Sequence, residues 1–389
     1  METLILGWYV LVNTGSVLLL AAFGSLQFLG TLAAPMFGVL GDRVGSRTVL
    51  CAMRASYVGL AGAVMLLALS GRLTPYHAFV IAALSGLLRP NDQVMRNSLI
   101  GATVPVAHFT GALSLSRTTM DSARVAGALA GTGLFAALGM GPAYACVVAF
   151  YGAGLALTFG VARGRPVHPP VGDAKGASML GGGVGLPAPS HWRELKDGLV
   201  HVWTTPRLLA AMWLAFLINL TAYPVSGGLL PYAAKAVYVA GERGLGYLAA
   251  SFSLGALLGS LAMVVMGSPR RPERSMLLHI LAWYVLLLGF AQARTMAVGA
   301  LLLLVIGVVQ SIAMISMASI LLSSARERFR ARVMGVRTLA VYGLPLGLMA
   351  AGVLVERIGY ATTVTVYGVA GLACTALVAM RMRAAGEPA

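Results

Sequence analysis

Residues 38–47 read GVLGDRVGSR. Before them runs SVLLLAAFGSLQFLGTLAAPMF, and after them VLCAMRASYVGLAGAVMLLALSG. Three charges, Asp42, Arg43 and Arg47, are thus confined to a short turn punctuated by Gly38, Gly41 and Gly45, between two stretches with the composition of lipid-facing helices. A solvated loop would serve as a bare connection. A working part would need these residue types at this spacing, and the rest of the chain decides between the two.

The chain has 389 residues, 58% of them hydrophobic and only 10% charged, with a mean hydropathy of +0.84. Soluble domains carry about 25% charged residues, so a soluble globule is excluded. Apolar stretches recur at 3–41, 55–71, 73–88, 125–162, 208–234, 244–269, 275–293, 295–325, 338–355 and 358–380. A bilayer core ~30 Å thick needs roughly 20 helical residues, so the longest stretches hold two spans each. Lipid satisfies no backbone hydrogen bonds, so the spans must be helices. The net charge of +16 does not point to nucleic acid, because the basic residues form small clusters between spans. Alternate loops carry Arg43/Arg47/Arg54, then Arg163/Arg165/Lys175/Arg193/Lys196/Arg207, then Arg270/Arg271/Arg274, Arg326/Arg328/Arg330/Arg332/Arg337 and Arg381/Arg383. The loops between them hold only Arg72, Lys235, Arg243, Arg294 and Arg357. The positive-inside rule makes the rich loops cytoplasmic. The expected location is a bacterial cytoplasmic (inner) membrane, multi-pass, with the linker and C-terminus in the cytoplasm.

This orientation predicts helices near 17–40, 48–70, 76–99, 110–138 and 143–161, then 207–230, 244–267, 276–293, 296–323, 334–356 and 360–381, with a stub at 2–12. The expected organisation is an all-α six-helix half over 1–161, a cytoplasmic linker over 162–206 and a second six-helix half over 207–389. Residues 162–190 are rich in Gly and Pro, as flexible linkers are. In HWRELKDGLVHVW, Trp192, Leu195, Leu199 and Val202 share a face opposite Arg193, Lys196 and Asp197. That pattern fits an interfacial helix or a linker helix packed on the cytoplasmic ends. Small residues recur at i,i+4 in four helices: Gly30/Ala34/Gly38, Gly127/Gly131, Gly255/Gly259 and Gly343/Gly347. Such faces let membrane helices approach closely. Eleven residues from Glu2 to Val12 reach only about 17 Å, leaving Met1 and Glu2 mid-membrane. The expectation is a first helix lacking its N-terminal half, by a misplaced start or truncation. Met1 is followed by no basic segment and no cleavage site, so no signal peptide is expected.

Gly38, Leu40, Gly41, Asp42, Arg43, Gly45 and Arg47 resemble the signature loop between helices 2 and 3 of the major facilitator superfamily, with Ser46 where a basic residue is usual. GWYVLVNTGS resembles the end of helix 1 in the branch of siderophore and macrolide exporters. HWRELKDGLVHVWTTPRLL resembles the entry to helix 7, and RFRARVMGVRTLAVYGLPLG the loop entering helix 11. Where exporters carry GPxxGG in helix 5, this chain has Gly127-Ala128-Leu129-Ala130-Gly131-Thr132, without the proline. The resemblance implies two six-helix halves that rock about a central cavity. Gly38, Asp42, Arg43, Gly45 and Arg47 would then form a gating loop with Arg337. Asn219 and Gln310 hold positions that line the cavity in this superfamily, and Trp8, Tyr223, Met314 and Met317 are candidates beside them.

Two charge triplets interrupt the spans: Arg89, Asp92 and Arg96, and then Arg117, Asp121 and Arg124. Each triplet shares one helical face, and the two are mirror images about the point between Val106 and Ala107. A mid-membrane charge costs ~2.5–3.5 kcal/mol on insertion scales and faces a cavity or a partner. The triplets are read as a proton-coupling cluster or as a static clasp between helices 4 and 5. No H-E-x-x-H or G-x-S-x-G is present, and Cys51, Cys146 and Cys374 sit apart like small apolar residues. An enzyme or receptor is therefore disfavoured, and no metal or cofactor is expected; His279 is read as structural. The expected function is a secondary transporter exporting a small amphipathic or anionic compound by proton antiport, as a monomer among membrane lipids. The alternatives are an importer, a uniporter or a lipid-handling facilitator of the same fold.

Overall fold

The structure, a computed structural model, describes residues 1–31, 44–103, 109–161, 203, 205–267, 269, 271–324 and 340–384. Gly38, Asp42, Arg43, Arg337 and the expected interfacial helix from His191 to Val202 lie outside the described residues. The first six helices are α1 (Glu2–Thr14), α2 (Val17–Leu26), α3 (Ser46–Leu69), α4 (Pro75–Thr103), α5 (Phe109–Leu138) and α6 (Met140–Gly160). The last six are α7 (Pro206–Thr221), α8 (Gly241–Met266), α9 (Pro272–Gln292), α10 (Met296–Ser324), α11 (Gly343–Ile358) and α12 (Tyr360–Ala384). No strand occurs among the described residues. Seven of these segments are long and apolar enough to cross a bilayer.

Local chemistry sets the helix ends. Gly15 adopts φ 66°, the left-handed conformation that closes α1, and its N–H donates to the Leu11 carbonyl. Ser16 then caps α2, its hydroxyl accepting from the Leu19 N–H at 3.2 Å. The expected stub at 2–12 is therefore a proper helix joined to α2 by a tight corner. Of the helix expected over 17–40, the α-helix Val17–Leu26 is followed by a 3₁₀ turn over Leu29–Thr31, and residues 32–40 lie outside the described residues. Pro206 and Pro272 occupy first-turn positions in α7 and α9, where a missing N–H costs nothing. Further along, Pro224 opens a π-helical stretch over Pro224–Gly228, and a second follows over Ala233–Val237. The whole apolar segment runs from Pro206 to Val237. This widened backbone was not visible in the hydrophobic pattern.

The apolar side chains form separate cores. One, around Ile5, Phe23, Val64 and Tyr144, lies within the first six helices. A larger one, around Leu214, Ile218, Trp283 and Leu303, lies within the last six and also takes in Trp8, Val17 and Ala128. The spaced glycines mostly knit helices inside each group. A Cβ at Gly30 would lie 2.1 Å from the Leu87 carbonyl oxygen, and one at Gly86 2.1 Å from that of Leu26. Only glycines allow the tail of α2 to cross α4 this closely, and that crossing carries Gln27 to Arg89. Gly255 and Gly259 similarly seat α8 on α10, while Gly343 and Gly347 seat α11 on α7.

Candidate functional site

The two groups of helices meet mainly as two pairs, α2 with α11 and α5 with α8. At α2–α11, Gly352 lies against Leu18 and Ala21, and Gly24 against Leu348. At α5–α8, Gly246 fits against Thr132 and Ala128. Polar bonds cross the same seam. Trp8 donates its indole N–H to Glu242 Oε1 at 3.0 Å, and Lys235 Nζ donates to the Leu11 carbonyl at 3.1 Å. Glu356 Oε1 accepts from the Ser16 hydroxyl at 2.8 Å and from the Leu18 N–H at 3.1 Å. A carboxylate at the positive N-terminal end of α2 is favourably placed. Ser25 Oγ, deeper along α2, donates to the Pro345 carbonyl at 3.1 Å. These contacts run from the end of the bundle whose loops are poor in basic residues down to Ser25, and together they form a seal between the two groups there.

Beneath this seal lies a polar site. Glu2 is ~18 Å from the far end of α1, and Arg89 ~21 Å from the corresponding end of α4, at about 1.5 Å per residue. Arg89 Nη2 donates to Glu2 Oε2 at 3.0 Å, and Tyr151 donates its hydroxyl to the same oxygen at 2.7 Å. Arg89 Nη1 donates to Thr3 Oγ1 and to Gln27 Oε1, and the Thr3 hydroxyl also donates to Gln27. The Glu2 side chain is 6% exposed and that of Arg89 37%. An exposed guanidinium at this depth would be costly against lipid, so its open side calls for water or a polar partner. Glu2, Thr3, Gln27, Ser85 and Arg89 line a cavity of about 10 Å³, roughly the room one water molecule needs. The buried Ser85 hydroxyl has no hydrogen-bond partner.

The sequence profile of the Major Facilitator Superfamily matches residues 3–346. The chain belongs to this superfamily. Crystal structures of the nucleoside transporter NupG are similar to it. One, of a point mutant, has a TM-score of 0.67 at 14% identity, covering 98% of this chain and 95% of that one. Another has a TM-score of 0.65 at 14% identity, covering 97% and 96%. No curated protein matches the chain. Likeness at this identity shows the fold, and the family shows a multi-pass transmembrane transporter.

Within this facilitator fold the expected charge triplets divide. Arg89 turns away from Asp92 to Glu2. Asp92 pairs instead with Arg54 of α3 at 3.3 Å and with Arg96 on its own helix. Asp121 pairs with Arg124 at 3.2 Å, also within one helix. Arg117 lies in α5. From the opening motif, Gly45 (φ 93°) begins α3, and Arg47 reaches the Thr158 and Phe159 carbonyls at the C-terminal end of α6. That is the favourable end of a helix for a cation. Among the expected cavity residues, Gln310 donates its amide to the Tyr223 hydroxyl at 2.6 Å, and Tyr223 meets Trp283 edge-on at 5.1 Å. Asn219 bonds the Ala215 carbonyl of its own helix, and Met314 packs on the larger core. Met317 is buried in that core, and Trp8 belongs to the seal. His279 bonds the Ser275 carbonyl, as a structural histidine would. Sequence reasoning did not single out Thr3, Gln27, Ser85 or Tyr151, and treated Glu2 only as a misplaced terminal charge. The signal that could have found them was depth: Glu2 is the acidic residue level with Arg89.

Proposed function

We propose that the chain is a proton-coupled secondary transporter of a small amphipathic or anionic compound, working by alternating access in a bacterial cytoplasmic membrane. The basic end of the bundle is cytoplasmic in this reading, and the seal built on Glu242, Glu356 and Lys235 is external. Residues 1–161 and 207–389 act as the two rocking halves, joined by a linker over 162–206. The observation that carries the proposal is the Glu2–Arg89 ion pair, with its carboxylate buried and its guanidinium partly open, at a depth along α1 and α4 that lies within the membrane in this reading. A buried ion pair is weak support for stability, because desolvation offsets most of its attraction. It is a natural place to store and release a proton, because neutralising the carboxylate changes what the arginine can bind. Asp92 is tied to Arg54 of α3 and to Arg96 of its own helix, and Asp121 to Arg124 of its own helix, so these described pairs do not join α4 to α5 and Glu2 is preferred as the proton carrier.

The test uses proteoliposomes with a trapped pH-sensitive dye, to which a panel of small organic acids is added. Compounds that the wild type carries should move protons with them, above the signal from protein-free liposomes. In Glu2→Gln the proton signal should vanish while exchange of labelled for unlabelled compound persists. Carriage by the wild type without any proton movement would reject the proposal.

A further inference from the structure

Glu2 presents to Arg89 the group that an organic acid would present. Its carboxylate engages one arm of the guanidinium, Nη2, while Nη1 is held by the neutral oxygens of Thr3 and Gln27. Both bonds described to Glu2, from Arg89 and from Tyr151, fall on Oε2. Oε1 is thus the oxygen to take a proton. A proton there turns an ion pair into a hydrogen bond from a cation to a neutral oxygen, which is weaker, and leaves Arg89 partly exposed with an uncompensated charge. Among the described residues no other charged side chain pairs with Glu2: Tyr151 bonds it from α6, and Tyr144 of α6, Tyr57 of α3 and the amino group of Met1 lie near enough to feel its charge. The Tyr57 and Tyr144 hydroxyls are buried and unpartnered, as is Ser85 Oγ, which lines the small cavity with Glu2 and Arg89. Donors are therefore available around a second carboxylate.

We infer that Glu2 is a built-in stand-in for the carboxylate of the substrate, and that the transported compound is a small monocarboxylate bound at Arg89 only when Glu2 carries a proton. A single arginine freed by a single proton balances one negative charge. A dianion such as phosphate would leave an excess charge in the membrane interior, which is unfavourable. Proton and anion then occupy the site together and are carried together. Antiport, expected from the exporter resemblance, requires that they exclude each other. Co-transport follows the inward proton gradient, so the direction is uptake.

This inference rests on the proton-coupled reading above, and its test requires no gradient. Purified full-length protein in detergent is titrated calorimetrically between pH 6 and pH 8 with acetate, lactate, benzoate and octanoate, each beside its uncharged amide. Because binding needs a protonated Glu2, affinity should fall by up to about tenfold per pH unit on the alkaline side. Buffers of different ionisation heat should report uptake of one proton per bound anion. Glu2→Gln should bind the acid tightly and equally at all pH values. Arg89→Gln should lose the preference for acid over amide. Arg89→Lys, which keeps the charge, serves if Arg89→Gln fails to fold, and should bind more weakly while keeping the pH dependence. Wild-type binding that ignores pH, absence of binding by all four acids at pH 6, or Glu2→Gln titrating like the wild type would each overturn the inference. Those results alongside intact proton-linked flux would remove only the stand-in. Proton-linked binding without proton-linked flux would remove the transport reading instead.

Discussion

Glu2 is almost wholly buried against Arg89, and Arg89 is bound by Glu2, Thr3 and Gln27 while its side chain stays partly exposed. Arg89→Gln leaves a buried carboxylate without its counter-charge, a loss of about 3 kcal/mol at the low end of the range for broken buried pairs. Glu2→Gln is expected to cost less, because the guanidinium is already partly exposed and keeps its bonds to Thr3 and Gln27. The double substitution should recover most of the loss, giving a strongly non-additive cycle in denaturant unfolding of the detergent-solubilised protein. Additive losses would mean that the two side chains do not depend on each other. Arg89 was legible in the sequence because a charge stood where the span should be apolar. Its partner was not. The mirror symmetry of the triplets pointed to Asp92 and Asp121, but helix-neighbour geometry favours Arg96 for Asp92 and Arg124 for Asp121, both within one helix. The partner of Arg89 is instead set by which helix crosses it, and that depends on Gly30 and Gly86 meeting backbone to backbone.

At the scale of helices, the seal depends on three glycines, Gly24, Gly246 and Gly352, and two carboxylates, Glu242 and Glu356. A Cβ at Gly246 would lie 1.9 Å from Thr132 Oγ1, so Gly246→Leu should wedge α5 from α8 and favour the externally open state. Labelling of a cysteine at Leu11 by a membrane-impermeant maleimide, with the three native cysteines replaced by serine, should then accelerate. Unchanged labelling would show that the pair does not gate access. Glu356→Gln keeps the shape of the carboxylate at the start of α2 but removes its charge. It should weaken closure by ~0.5–1 kcal/mol, an exposed cap and dipole effect, and raise the same labelling rate a few-fold. Helix limits in this region were readable from apolar runs, caps and prolines to within a few residues. The small-residue spacing was readable as well, but not its destination. Gly255, Gly259, Gly343 and Gly347 serve packing within one group, while the glycines that meet across the seam, Gly24, Gly246 and Gly352, form no such pattern. The π-helical stretches after Pro224 leave no mark on hydropathy, because widening a helix preserves which residues are apolar.

For the whole molecule, the twelve helices named among the described residues fall into two groups that meet along two helix pairs, and the proposed function has these groups rock so that the chain binds on one side and releases to the other. Composition, charge-poor and charge-rich loops and the GVLGDRVGSR turn made the superfamily legible before any coordinates. The substrate chemistry was not, since it depends on where four helices bring Glu2, Thr3, Gln27, Arg89 and Tyr151 together. The central claim, that a proton on Glu2 travels with the compound, is tested most directly by flux under pH gradients of either sign. Proteoliposomes holding wild type or Glu2→Gln, beside protein-free liposomes, are given the labelled carboxylate that binds best. The wild type should accumulate it above the protein-free baseline when the lumen is alkaline and expel it when the lumen is acid. Glu2→Gln should only equilibrate it, identically under both gradients. Accumulation into an acid lumen, or a Glu2→Gln protein that concentrates the compound as the wild type does, would contradict the account.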